Sequence, residues 1–399
     1  MSKVVIIGAG ASGIVAALQA SKNKNNEVIL IDGNNRCGKK LLITGNGKCN
    51  FWNDDIDIKN YFTSELELAS SILSNQEEVL NYLYSIGIYP KTKNGYFYPA
   101  SGLAASIREI FEKELNRSLV KLKYNTRVID IEKYNDNYKI KTEQEIIIAD
   151  KLIIATGSKA FPKTGSEGFG YNIATKFGHN IMPVLPALTG LLSDNKNIKE
   201  WSGVRTDSLL KLYIDNKYIT EELGEIQLTE NGVSGICTFN ISGLVSKALY
   251  DKRNVVVKIN FLPWINNIEE FISKRNIDLK DRTIEELLES ILNYKLTNVI
   301  LTNAHIDKNS YWNKLNDVKK ESLINNIKNF ELNITSTNSF EKAQVCTGGI
   351  SLKEVNNNLE SIYNKNLYFC GEILDVDGKC GGFNLAFAFI TGYIVGKNV

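Results

Sequence analysis

The stretch "KVVIIGAGASGIVAALQA" at residues 3–20 constrains the fold more than any other. An apolar, β-branched run without alternation reads as a strand buried on both faces of a parallel sheet. It leads straight into Gly8, Gly10 and Gly13, and then into residues of helical composition and spacing. "NEVILID" supplies a second strand, so the segment forms a βαβ unit with the glycines at its first turn. There Gly8 allows the tight turn, Gly10 lets backbone approach a pyrophosphate, and Gly13 lets the helix sit close on the strand. Ala11 and Ser12 fall in the first helical turn, whose unpaired N–H groups and partial positive charge suit phosphate. Asp32, at the end of the second strand, is placed to accept hydrogen bonds from ribose hydroxyls and to repel a 2′-phosphate.

This half-motif fits a nicotinamide or a flavin dinucleotide equally well, and the C-terminus separates the two. In "LYFCGEILDVDGKCGGFNLAFAF" a strand ends at Gly371-Glu372, and a second pair of glycines opens an apolar helix. A carboxylate there suits the ribityl chain of FAD. The start of the helix from 383 would face the flavin pyrimidine edge, where reduction places negative charge. Between the ends, "ADKLIIATGS" closes a strand at Ala155-Thr156-Gly157, as in flavoproteins with two dinucleotide-binding domains. "TRVIDI" offers the backbone of Val128 to the adenine. Each of these segments also reads as an ordinary buried strand or helix cap.

The middle of the chain differs from its ends. Residues 188–257 read as short strands and turns, and 264–330 as charged helices, so the ends form one domain into which the middle is inserted. The net charge of +2 argues against a nucleic-acid groove. No apolar run reaches the ~20 residues of a membrane span. The N-terminus lacks the pattern of a signal peptide, so a cytoplasmic protein is expected. Six scattered cysteines without a CxxC pair predict free thiols and no metal site.

The chain as a whole resembles the bacterial NAD(P)/FAD-dependent oxidoreductase flavoproteins, a family that includes an aminoacetone oxidase. The similar stretches are "GAGASGIVAA", "GKKLLITGNGKCN", "GYFYPASGLAASI", "ATGSKAFPKTGSEGFGYNIATKFGHNI", "GEIQLTENGVSGI" and "GEILDVDGKCGGFNLAFAF", in the expected order. The resemblance implies an α/β fold. Its parts are a Rossmann-like FAD-binding domain over 1–187 and 341–399, an inserted β-rich, barrel-like domain over 188–262 and 331–340, and a helical subdomain over 263–330. It implies non-covalent FAD held by Gly8, Gly10, Ser12 and Gly13, with Asp32 where relatives more often have Glu. Lys40 and the loop Gly45, Asn46, Gly47, Lys48, Cys49 and Asn50 would wrap the cofactor, Lys48 standing where Arg is common. Gly371, Glu372, Gly382, Phe383, Asn384 and Leu385 would complete the site. Glu230 stands where relatives carry His, and Ala386-Phe387 where Gln-Trp is frequent, so the resemblance says little about substrate.

Because a flavin transfers hydride itself, few protein groups are needed for the chemistry. The candidates are Cys49, Tyr98 (with Tyr96 nearby) and Glu230, with packing as the competing reading of the tyrosines. His179 and His305 read as structural. The reaction expected is hydride transfer from NADH or NADPH through FAD to a small organic acceptor such as a polarised C=C. Amine oxidation by oxygen is the alternative, and an RNA-modifying flavoprotein or a redox sensor without turnover belongs to another class. No second GxGxxG is present, so a nicotinamide would bind transiently. The insert is expected to act as a lid, with "LTENGVSGIC" nearest the flavin ring. The oligomeric state is not legible.

Overall fold

A computed structural model describes all 399 residues. Contacts divide them into two units, Met1–Leu185 with Phe340–Val399, and Pro186–Ser339. No helix is long and apolar enough to cross a membrane.

The first unit is built on a five-stranded parallel sheet. Its order is Leu367–Phe369, Lys151–Ile154, β1 (Ser2–Ile7), β2 (Asn26–Ile31) and Lys121–Lys123. The most N-terminal strand and the last strand of the sheet therefore share one sheet, separated only by Lys151–Ile154. Val4–Ile7 are all buried, as a sheet covered on both faces requires. Helix α1 (Ala11–Ala20) lies against the C-terminal helix Phe383–Asn398. A Cβ on Gly392 would stand 2.3 Å from the Ser12 carbonyl oxygen, and one on Gly396 2.4 Å from that of Ala16. The two glycines, one turn apart, let the helix backbones touch. Both helices are buried nearly all round, which explains their apolar composition on every face.

Two antiparallel sheets flank this frame. One is Ile146–Ala149, Asn137–Thr142 and Val128–Tyr134; the other is Trp52–Asn53, Tyr96–Pro99 and Pro90–Lys93.

In the second unit six strands close a barrel in the order Leu191–Ser193, Gly232–Ser234, Lys217–Thr229, Arg205–Ile214, Val255–Asn260 and Phe330–Thr337. Arg205–Ile214 alternates between buried and less buried positions, as a barrel wall does. Its hairpin to Lys217–Thr229 turns at Asp215 and Asn216, both at positive φ (49° and 62°), the turn that matches strand twist. Four helices follow within 268–328, and Asn267, Thr283, Asn293 and Asn316 cap them through side-chain oxygens.

Two expectations for 188–257 are corrected. The strands Arg205–Ile214 and Lys217–Thr229 are long, at 10 and 13 residues. And "ICTFNISGLVSKALY", read as strand and turn, is a 15-residue helix, Ile236–Tyr250. Its buried Cys237, Ile241, Val245 and Ala248 recur at helical spacing. The β-branched residues between them hid that period, and Gly235 at φ +100° ends the preceding strand.

Candidate functional site

The C-terminal ends of the parallel strands gather most of the residues singled out from the sequence. β1 ends in Gly8 at φ +105°. A Cβ there would sit 2.4 Å from the Ala155 carbonyl oxygen, so the turn lies directly on the end of Lys151–Ile154. A Cβ on Gly13 would lie 1.9 Å from the Gly8 carbonyl oxygen, which fixes the approach of α1. Gly10 is the N-cap of α1, no side chain caps that helix, and a Cβ on Gly10 would meet nothing within 4 Å. The first-turn amides of Ala11, Ser12 and Gly13 have no acceptor within the helix and lie at its positive end, next to the open space before Gly10. Ser12 Oγ donates to the Cys370 carbonyl at 3.3 Å, which ties α1 to the last strand.

Asp32 stands beside this turn. Its Oδ2 accepts from Ala9 N at 2.7 Å, and its Oδ1 from Asn34 N at 2.7 Å and Asn34 Nδ2 at 2.9 Å. Lys39 Nζ donates to Asn34 Oδ1 at 2.9 Å. Three acceptor positions of the carboxylate are therefore used by the chain, and one remains for a ligand. Val128 is buried and opens the antiparallel strand Val128–Tyr134.

At the end of Lys151–Ile154, Gly157 has φ +70°. Thr156 Oγ1 is buried with no hydrogen-bond partner. At the end of Leu367–Phe369, Gly371 has φ +82°, and a Cβ there would lie 2.4 Å from Ser12 Oγ. Its N–H donates to Thr391 Oγ1 of the C-terminal helix at 2.9 Å. Glu372 pairs with Lys40 across 2.7 Å, both side chains mostly buried. The other Glu372 oxygen accepts from Cys346 N at 3.1 Å. Burial pushes the Cys346 thiol up to about 11.

The loop after β2 is held in an uncommon shape. Gly45, Asn46, Gly47 and Cys49 all lie at positive φ (55°, 53°, 82° and 55°). Gly45, Asn46 and Lys48 are exposed, while Cys49 is fully buried. Burial pushes its thiol up to about 11, and none of the six cysteines forms a disulfide. The Asn50 carboxamide nitrogen donates to the Trp52 and Phe97 carbonyls at 3.0 and 3.1 Å.

The C-terminal helix starts at Gly382, φ +94°, where a Cβ would lie 2.4 Å from the Trp52 carbonyl oxygen. No side chain caps this helix. The Phe383 carbonyl accepts from Tyr61 Oη at 3.0 Å. The Asn384 side chain is committed to the protein: Oδ1 accepts from Gly378 N at 2.9 Å and Nδ2 donates to Gly378 O at 2.8 Å. Only its backbone is left to face a cofactor. Leu385 is half-buried. Tyr98 lies on the Tyr96–Pro99 strand of this unit, half-buried. Glu230 lies in the second unit, exposed and paired with Lys199 at 3.0 Å. His179 is buried against Phe369 and Tyr363, with Nε2 at 2.8 Å from Ser361 Oγ.

Sequence reasoning missed Asn34 and Lys39 beside Asp32, Cys346 and Thr391 behind Gly371-Glu372, and the strand Val345–Ile350. Its adjacent Gly348 and Gly349 have φ +82° and +135°. A Cβ on either would strike backbone, that of Pro183 or that of Ile373. Thr347 Oγ1 beside them is buried without a partner. A pair of glycines inside an apolar β-branched run was the available signal.

Residues of this kind fit a dinucleotide. An uncapped helix start with open space before it and a strand-end carboxylate with a free acceptor position are what FAD would fill. A family model described as "HI0933-like protein Rossmann domain" matches residues 2–398. The 3-dehydro-bile acid delta(4,6)-reductase of Clostridium scindens is 37% identical, spanning 100% of this chain and 98% of its own. The ribosomal RNA dihydrouridine synthase of Haemophilus influenzae is 26% identical, across 98% of this chain and 97% of its own. Among solved structures, E. coli quinol fumarate reductase aligns at a TM-score of 0.52 and 14% identity, over 100% of this chain and 69% of its own, a likeness of fold.

Proposed function

The chain belongs to the HI0933-like Rossmann family and is an FAD-dependent oxidoreductase, and on that premise we propose that it reduces a carbon–carbon double bond conjugated with a carbonyl. The observation that carries this reading is the end-to-end match to a reductase of such a system, a 3-oxo steroid with double bonds at positions 4 and 6. The second relative supports it, since making dihydrouridine also saturates a ring double bond conjugated with a carbonyl.

FAD, when bound, supplies the two-electron chemistry that passes hydride from NADH or NADPH to the acceptor. The chain's contribution is position and charge. The open first turn of α1 takes the pyrophosphate, and Asp32 uses its remaining acceptor position for a ribose hydroxyl. Lys40, tempered by its pairing with Glu372, would offer a positive charge to the phosphates. The uncapped start of the C-terminal helix would favour negative charge on the reduced cofactor. Gly157 and Thr156 line the approach from the neighbouring strand, and Asn46, Gly47 and Lys48 cover it from the loop.

The substrate is a small molecule. A flavoprotein acting on RNA needs a cationic face. The second unit has 19 Lys and Arg against 20 Asp and Glu, and the whole chain is only +2.

The experiment is anaerobic. NADH or NADPH should bleach the yellow protein, and a 3-oxo-4,6-diene steroid should restore the colour with loss of a double bond. Recolouring only by oxygen, with an amine as the reductant, would replace this reading with amine oxidation. Reduction of uridine in a ribosomal RNA fragment in place of the steroid would move the substrate to RNA.

A further inference from the structure

Saturating an enone takes two deliveries, a hydride to the β-carbon and a proton to the α-carbon. The inference below rests on the reductase reading and concerns the source of the proton. Most titratable groups near the site are already committed. Cys49 is fully buried beneath its loop. Tyr61 Oη donates to the Phe383 carbonyl, and Tyr171 Oη to the Glu372 carbonyl. Glu372 is held by Lys40 and Cys346 N. His179 is buried among Phe369, Tyr363 and Ser361.

The hairpin of Pro90–Lys93 and Tyr96–Pro99 carries a further candidate, Tyr98. Alternation along the strand turns Phe97 inward, where its ring meets Phe51 edge-on at 6.4 Å. Tyr96 and Tyr98 share the opposite face, both half-buried. Tyr96 Cε1 lies 2.8 Å from where a Cβ on Gly381 would stand, and Tyr98 Cε1 3.9 Å from where one on Gly45 would stand. One face of one hairpin thus borders both the left-handed turn at 45–47 and the start of the C-terminal helix, two segments that sequence and fold direct toward the flavin. Lys91 stands directly opposite Tyr98 in the ladder, and Lys93 opposite Tyr96. Such cross-strand neighbours share a face at contact distance.

We infer that Tyr98 delivers the proton that completes the reduction. Its O–H bond breaks as a C–H bond forms at the α-carbon, while the hydride that began on NADH or NADPH forms the C–H bond at the β-carbon. The double bond becomes a single bond, and the phenolate recovers a proton from water. Lys91 across the ladder offsets the transient negative charge. Burial, and then Cys380, hold the Tyr98 phenol above its ordinary range, so it enters each turnover protonated.

The test uses the FAD-loaded protein with NADPH and a 3-oxo-4,6-diene steroid in anaerobic stopped flow. Tyr98→Phe should keep its flavin and its bleaching by NADPH, yet recolour with the steroid about 10²–10⁴-fold more slowly, the range for loss of a general acid. In the wild type the recolouring step should slow in deuterated water. Recolouring of Tyr98→Phe at the wild-type rate, or a wild-type step with no solvent isotope effect, overturns the assignment and leaves the reductase reading intact. A wild type that NADPH bleaches but the steroid does not recolour overturns the reading itself, and the assignment with it.

Discussion

Where α1 begins, a Cβ added to Gly10 would meet nothing within 4 Å; where the C-terminal helix begins, one added to Gly382 would lie 2.4 Å from the Trp52 carbonyl oxygen. The backbones differ in the same sense. Gly10 has φ −82° and ψ −170°, open to any residue, while Gly382 has φ +94° and ψ −12°. Neither helix is capped by a side chain. In sequence the two starts look alike, an apolar helix opened by glycines. In structure the chain itself requires one glycine and leaves room for a side chain at the other. A glycine at a helix start therefore marks a ligand only where its missing side chain leaves room.

The largest effect expected from that contrast is at Gly382. Gly382→Ala places a Cβ in left-handed backbone, a strain of about 1–3 kcal/mol, and also against a main-chain oxygen that has no flexible end to move. Trp52 is buried, and its strand pairs with Tyr96–Pro99, so the displacement spreads. The apoprotein should lose at least ~3 kcal/mol of stability, read as a lower urea midpoint. A Gly382→Ala apoprotein as stable as the wild type, with only FAD affinity reduced, would erase the distinction between the two helix starts.

Asp32 falls between the two cases. Its carboxylate holds Ala9 N and Asn34 from within the chain and keeps an acceptor position outward. Asp32→Ala should weaken FAD binding about ten- to a hundredfold, the equivalent of roughly 1.5–3 kcal/mol for a charge-assisted hydrogen bond. Unlike a purely ligand-facing residue, it should also lower the thermal midpoint of the apoprotein, because Ala9 N and Asn34 N lose their acceptor. Titration of apoprotein with FAD, beside a melt of the same sample, separates the two. A lowered melt with unchanged affinity would class Asp32 with Gly382.

What could be read from sequence follows the same division. The β1–α1–β2 unit was legible because burial on both faces, a glycine turn and a strand-end acid each leave a local mark. The join between the chain's two ends was legible through Gly371-Glu372 and the glycines before Phe383. What the Asn384 side chain does was not legible, because its two bonds to Gly378 close a turn that only the folded chain displays. Lys40 and Glu372 were each singled out, yet nothing in a sequence predicts that residues more than three hundred positions apart meet at 2.7 Å. The helix Ile236–Tyr250 was missed because β-branched residues between its buried positions imitate strands. Val345–Ile350 was missed because its glycines answer to the backbones of Pro183 and Ile373, distant in sequence.

The smallest expected effect is the most discriminating, and it lies at Gly10. Gly10→Ala introduces a Cβ where the backbone is unstrained and the surroundings are empty, so nothing in the protein resists it. At an N-cap, alanine is somewhat worse than glycine, which sets the cost to the apoprotein below about 1 kcal/mol. FAD meets a different situation. The methyl group stands at the N-cap, where the phosphate oxygens must reach the first-turn amides, and a ligand pushed back by a few tenths of an ångström loses both hydrogen bonds and helix-end charge. About tenfold weaker binding, or ~1.4 kcal/mol, is the expected loss. Apoprotein melts and FAD titrations on Gly10→Ala and Gly382→Ala, run side by side, should therefore cross: affinity falls with stability kept at position 10, and stability falls first at position 382. If Gly10→Ala instead binds FAD as the wild type does, the open space before α1 is not where the pyrophosphate enters.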